Sequence, residues 1–196
     1  MSNEPNEQAG PAAARAKWVT CCFAVFALLG IARSYHRLDI AWPQIIFYWL
    51  LVWNDFYSIG YFSSFLPPNK ISQRLIDGGL LIAHVLLVFC FSTPLYFQSL
   101  MALLFSQATL KYAYELPWVV SPERLYRKIK IDALGTVGCV VAIIGMLFGY
   151  VRLVAIAWTV LFAAASVYVI LLRPLYLDTR KGVPDSRRYA GKDYPG

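Results

Sequence analysis

Histidine is almost missing from this chain: His36 and His84 are the only two in 196 residues. No multi-histidine metal cluster and no HExxH site can be built from them, so neither a metal nor another cofactor is expected. Cysteine is equally sparse. Cys21, Cys22, Cys90 and Cys139 form no CxxC pair and no spacing that implies a disulfide framework. The GxSxG elbow, the phosphate-cradling glycine loop and the dinucleotide fingerprint are absent too. This inventory points away from an enzyme.

Charge is the other shortage. Only 15% of residues are charged, while 59% are hydrophobic and the mean hydropathy is +0.53; soluble domains carry about 25% charged residues. The charges cluster, leaving apolar runs of the roughly 20 residues that a helix needs to cross a bilayer. Because the runs are continuous rather than alternating, helices are favoured over barrel strands. The expectation is an all-α polytopic membrane protein with six transmembrane helices: Trp18–Ser34, Ile40–Leu66, Arg74–Ser92, Leu95–Leu116, Ile131–Tyr150 and Arg152–Tyr176. Tight joints at "STP" and "GYVR" make sequential helices antiparallel neighbours, hence three helical hairpins. "LPPNK" reads as a turn after the second span, and "LPWVVSPERLYRKIK" as the one sizeable loop. Residues 1–17 read as an N-terminal tail, 18–176 as the six-helix bundle and 177–196 as a basic disordered tail. The first apolar run, "VTCCFAVFALLGIA", follows Glu4 and Glu7 and precedes no A-x-A-like site, so it reads as a retained helix, not a signal peptide.

The net charge of +7 is topological and does not imply nucleic acid. With six spans, Lys and Arg gather on the side of the two tails, leaving only Arg33, Arg37 and Arg152 on the other. The positive-inside rule then puts both termini in the cytoplasm. Membrane lipid is the expected partner; the basic C-terminal tail reads as solvated, contact with anionic headgroups being the alternative.

Within "FYWLLVWNDFYSIGYF" (residues 47–62) an Asn54–Asp55 pair interrupts an aromatic and aliphatic run. At helical rise, Asp55 lies roughly 17 Å from the cytoplasmic end of its span, His84 about 15 Å and Gln107 about 14 Å from theirs. Three spans thus carry their most polar side chains to one level near mid-bilayer. A charge at the centre of a lone helix costs roughly 2.5–3.5 kcal/mol even on the lenient insertion scale. Such groups face inward and pair. On the second span Gln44, Tyr48, Asp55, Ser58 and Phe62 form one stripe. The expected site is an Asp55–His84 pair able to exchange a proton, with Asn54, Gln107 and Tyr48 as hydrogen-bonding neighbours along a proton, cation or solute path. Asp77 and Asp132 read as first-turn carboxylates at the positive ends of helix dipoles.

The fifth span carries a face of small residues only: Gly135, Gly138, Ala142, Gly145 and Gly149. Such faces let backbones approach closely. Ala155, Thr159, Ala163 and Ser166 of the sixth span read as the matching surface, the alternative being a homo-oligomer seam. Two functions follow. One is a small channel or permease for a proton, cation or small solute, working through the Asp-His pair. The other is a noncatalytic scaffold or accessory subunit whose faces bind partner helices or lipid.

Overall fold

The computed structural model describes residues 9–62, 71–118 and 122–176. All regular structure among them is helical. The helices are α1 (Ala9–Arg33), α2 (Leu38–Phe62), α3 (Ile71–Phe89), α4 (Pro94–Glu115), α5 (Pro122–Leu147) and α6 (Val151–Val167). Three stretches are long and apolar enough to cross a membrane: Ala13–Arg33 of α1, all of α5, and Val151–Leu172 of α6 with its extension. Helices α2, α3 and α4 carry Asp55, His84 and Gln107.

Going round the bundle, the order is α1, α2, α6, α5, α4, α3 and back to α1, with α2 and α4 also meeting across the middle. The buried face of α2 recurs at helical spacing through Gln44, Phe47, Tyr48, Leu51, Val52, Ser58 and Phe62. One apolar core gathers Phe23 and Ala27 of α1, Phe47 and Leu51 of α2, Leu87 of α3, Phe91 just beyond it, and Phe97 and Met101 of α4. A second, around Phe62, Tyr112, Leu125, Ile170 and Tyr176, sits at the end where α2 and α4 finish and α5 begins.

Several boundaries differ from the expectation. Helix α1 starts at Ala9, so part of the presumed tail is helical. Helix α5 starts at Pro122, taking in most of the expected loop; Pro suits the first helical position, where no N–H is needed, and Glu123 follows in the first turn. Asp77 and Asp132 are therefore a turn or more inside their helices. They answer cations rather than helix dipoles: Asp77 meets Lys111 at 2.5 Å and Arg15 at 3.6 Å, and Asp132 meets Lys128 at 2.7 Å. The sixth helix changes to a π turn over Tyr168–Leu172 and stops before Pro174. The expected turn at Pro67–Pro68, and the tails at residues 1–8 and 177–196, lie outside the described residues.

The joints have local causes. Between α5 and α6 the Gly149 N–H bonds the Met146 carbonyl and the Tyr150 N–H the Gly145 carbonyl, with Gly149 at φ +92°. That closure needs a left-handed residue, which glycine adopts without a Cβ penalty. Between α3 and α4 the Thr93 N–H bonds the Cys90 carbonyl, and Pro94 opens the next helix.

The small-residue face of α5 is filled from two sides. A Cβ on Gly135 would lie 3.1 Å from the Phe105 ring of α4. One on Gly138 would strike the Trp158 ring, and one on Gly145 would come within 2.9 Å of Val154, both on α6. Ala142 is buried in the same face, whereas a Cβ on Gly149 would meet open space. The expected α6 counterface is corrected: Thr159 and Ser166 turn to α2 instead. Thr159 donates to the Pro43 carbonyl (3.1 Å), and Ser166 lies 2.6 Å from the Asn54 amide. A face of glycines is filled by large side chains, not by a second small face, since close packing leaves no voids.

Candidate proton-binding site

Helices α2 and α3 bring Asp55 and His84 together: Nε2 of His84 lies 2.8 Å from Oδ2 of Asp55. The imidazole is fixed on three further sides. Its Nδ1 lies 2.8 Å from the Leu80 carbonyl one turn earlier in α3. Phe23 of α1 stacks flat on it, with centroids 4.2 Å apart and planes 5° from parallel. Tyr48 of α2 meets it edge-on at 6.3 Å. The His84 side chain is 5% exposed and that of Asp55 22%, so the pair meets its surroundings through the carboxylate.

The proton count follows from the partners. A backbone carbonyl only accepts, so Nδ1 carries a hydrogen. The Nε2–Oδ2 contact then holds one proton, either on nitrogen, as imidazolium beside carboxylate, or on oxygen, as two neutral groups. Both forms have zero net charge. The Leu80 bond thus fixes which nitrogen faces Asp55 and leaves the position of one proton free to change.

Of the expected neighbours, Tyr48 is at the pair, though its buried hydroxyl has no hydrogen-bond partner. Asn54 is not. Its amide nitrogen donates to the Leu50 carbonyl (2.9 Å) and to Ser166 (2.6 Å), tying α2 to α6. Consecutive residues on a helix point about 100° apart, so Asn54 cannot share the direction of Asp55. Gln107 is also turned elsewhere. It lies against Gly79 and lines a groove of about 280 Å³ between α3 and α4, with Leu75, Ile76 and Leu110.

Sequence reasoning missed a second polar group on the side of the pair toward the α5 start. Ser58, one turn along α2 from Asp55, shares a hydrogen bond of 3.0 Å with the hydroxyl of Tyr112 in α4. The Lys128 ammonium lies 5.6 Å from the centre of the Tyr112 ring and bonds Asp132. Asp132 is 1% exposed, and its Oδ2 has no partner among the described residues. The readable signal was Pro122–Glu123 as a helix start, which puts Lys128 and Asp132 at i and i+4 of one helix.

The other half is apolar. Phe47 stacks on Phe162 at 4.1 Å and meets Phe97 edge-on at 5.9 Å, with Phe91 and Met101 fully buried beside them. Beyond this layer Gln44, Gln98 and Thr159 border a hollow of about 10 Å³, the size of one water. No group of three or more metal-ligating side chains occurs among the described residues. No protein-family model matches the chain, and neither does any curated protein or solved structure.

Proposed function

We propose that this is a small integral membrane permease that binds and relays a proton, or a cation in exchange for one, through Asp55 and His84. In this reading all six helices cross the bilayer as three hairpins, both termini face the cytoplasm, and the pair lies near mid-bilayer. The observation that carries it is the 2.8 Å Nε2–Oδ2 contact inside an apolar bundle, with Nδ1 held by Leu80. Ionisable groups within membrane helices are costly and mark ion or proton paths by default. An always-open pore is not favoured, because Phe47, Phe91, Phe97 and Phe162 pack ring against ring, and the hollow beyond them at Gln44, Gln98 and Thr159 holds about one water. The scaffold reading would rest on the exposed aromatic faces, since Gly135, Gly138 and Gly145 of α5 are met by Phe105, Trp158 and Val154 of the same chain.

Proteoliposomes loaded with a pH dye and tested with proton, K⁺ and Na⁺ gradients decide between transport and scaffold. Wild type is expected to move protons or exchange them for a cation. Asp55→Asn and His84→Ala abolish flux while the protein still elutes as a folded species from a sizing column. Wild-type vesicles as tight as empty ones under every gradient would remove the proposal.

A further inference from the structure

The Lys128–Asp132 pair takes no part in the contact just described, yet it is the more deeply buried. The Asp132 side chain is 1% exposed and that of Lys128 14%. Lys128 binds Oδ1, and the second carboxylate oxygen is enclosed with no donor among the described residues. A buried acceptor with nothing to accept from costs about 1–3 kcal/mol, more when charged. A proton on that oxygen removes the charge that makes its enclosure costly.

The surroundings are built for exchangeable protons. From α2, Ser58 faces this region, one turn from Asp55; from α4, Tyr112, with Lys111 5.9 Å from its ring centre; from α5, Lys128 itself; from the segment after α6, Tyr176. Ser58 is the junction, hydrogen-bonded to Tyr112, and Tyr176 packs in the same cluster, edge-on to Phe62. Asp55 stands one turn from Ser58 on α2, and Lys128, bonded to Asp132, lies 5.6 Å from the centre of the Tyr112 ring whose hydroxyl Ser58 meets. Two carboxylates, each with one cationic or ionisable nitrogen partner, thus stand beside one buried pair of hydroxyls, those of Ser58 and Tyr112. Adding a proton to either changes the net charge that the other feels.

We propose that Asp132, held by Lys128, is a second proton-binding carboxylate, coupled to Asp55 across the Ser58–Tyr112–Tyr176 cluster. The pair at mid-bilayer and this one form a two-proton unit whose polar side faces the end of the bundle where α5 begins. Its opposite side is closed by the Phe47–Phe97–Phe91 layer. This deepens the proton-handling reading, but its test reads protonation directly and needs no flux.

The test is pH-difference infrared spectroscopy on the purified full-length protein in mild detergent, following carboxylic-acid carbonyl bands. Wild type is expected to show titrating carboxyl bands, among them one each from Asp132 and Asp55. Asp132→Asn removes one and Asp55→Asn the other. Asp55→Asn also moves the midpoint of the Asp132 band by about one pH unit, the size that marks interacting sites. Tyr112→Phe keeps both carboxylates and moves the same midpoint, which covers the case in which Asp132→Asn does not fold. An unchanged band pattern in Asp132→Asn overturns the second site. A midpoint indifferent to both Asp55→Asn and Tyr112→Phe overturns the coupling. Absent flux with two coupled bands would remove only the transport reading.

Discussion

At the residue scale, Lys128 and Asp132 allow the sharpest separation of charge from packing. Breaking a buried pair by removing one partner costs about 3–5 kcal/mol, whereas replacing both by apolar groups is often neutral or better. Lys128→Met leaves the Asp132 carboxylate enclosed and alone, so it is expected to lower thermal stability in detergent steeply. The double variant Lys128→Met with Asp132→Leu is expected to recover most of that loss, because no charge is then left buried. If the single variant melts where the double does, the pair is not the charged contact that its 2.7 Å geometry implies. Asn54 is a milder case. Its bond to Ser166 is an interhelical contact of the kind that averages about 0.6 kcal/mol in membrane proteins.

The same residues mark where sequence was readable. Asp55 and His84 were legible because each is the dominant polar group of its helix and both fall at one depth, a quantity fixed by rise per residue. Depth says nothing of rotation. Asn54 and Gln107 share the level, yet one faces Ser166 and the other Gly79. Lys128–Asp132 escaped because the charged run before Ile131 reads as loop composition, although Pro122 and Glu123 carry a helix start.

At the element scale, glycine separates close contact from mere tolerance. Helix α1 comes so near the α3–α4 joint that a Cβ on Gly30 would lie 2.7 Å from the Val88 carbonyl oxygen and 2.7 Å from the Phe91 ring. A backbone oxygen cannot rotate away, so Gly30→Ala forces α1 outward; overpacking of this kind costs about 1–3 kcal/mol. Because α1 also carries Phe23 over His84, the cost falls on the candidate site as well as on the fold. Gly78 is the control. A Cβ there meets nothing within 4 Å, and Ala is the better helix former by about 1 kcal/mol. Thermal melts are therefore expected to move in opposite directions, down for Gly30→Ala and up for Gly78→Ala. Equal melts would mean that α1 does not dock on α3 as described. Helix identity was legible from apolar runs, and the glycine face of α5 from its spacing. Its partners were not, because a face of hydrogens fits a side chain from any direction, and here Phe105 and Trp158 arrive from different helices.

At the scale of the whole molecule, the bundle has two unlike ends. Arg15 and Lys111 converge on Asp77, Arg124 donates to the Tyr61 hydroxyl at 2.7 Å, and Arg127 donates to the Arg173 carbonyl at 2.9 Å. These contacts join the starts of α1, α3 and α5 to the ends of α2, α4 and α6, so basic side chains separated widely in sequence meet at one end. At the other end stand Arg33, Arg37 and Arg152 with the exposed aromatic rings of Tyr35 and Tyr150. A bilayer reads such an asymmetry as orientation, since short loops rich in Lys and Arg stay in the cytoplasm. The consequence is measurable with one cysteine at a time in a chain whose four native cysteines are replaced by serine or alanine. Arg152→Cys, in the joint between α5 and α6, is expected to react with a membrane-impermeant maleimide added outside intact cells. A cysteine appended after Gly196 is expected to react only once the cells are opened. The reverse pattern would put the Lys128–Asp132 end, and with it the polar approach to Asp55, on the outer face. Labelling of both cysteines from outside would mean an even number of crossings between them, and the three-hairpin arrangement would fall.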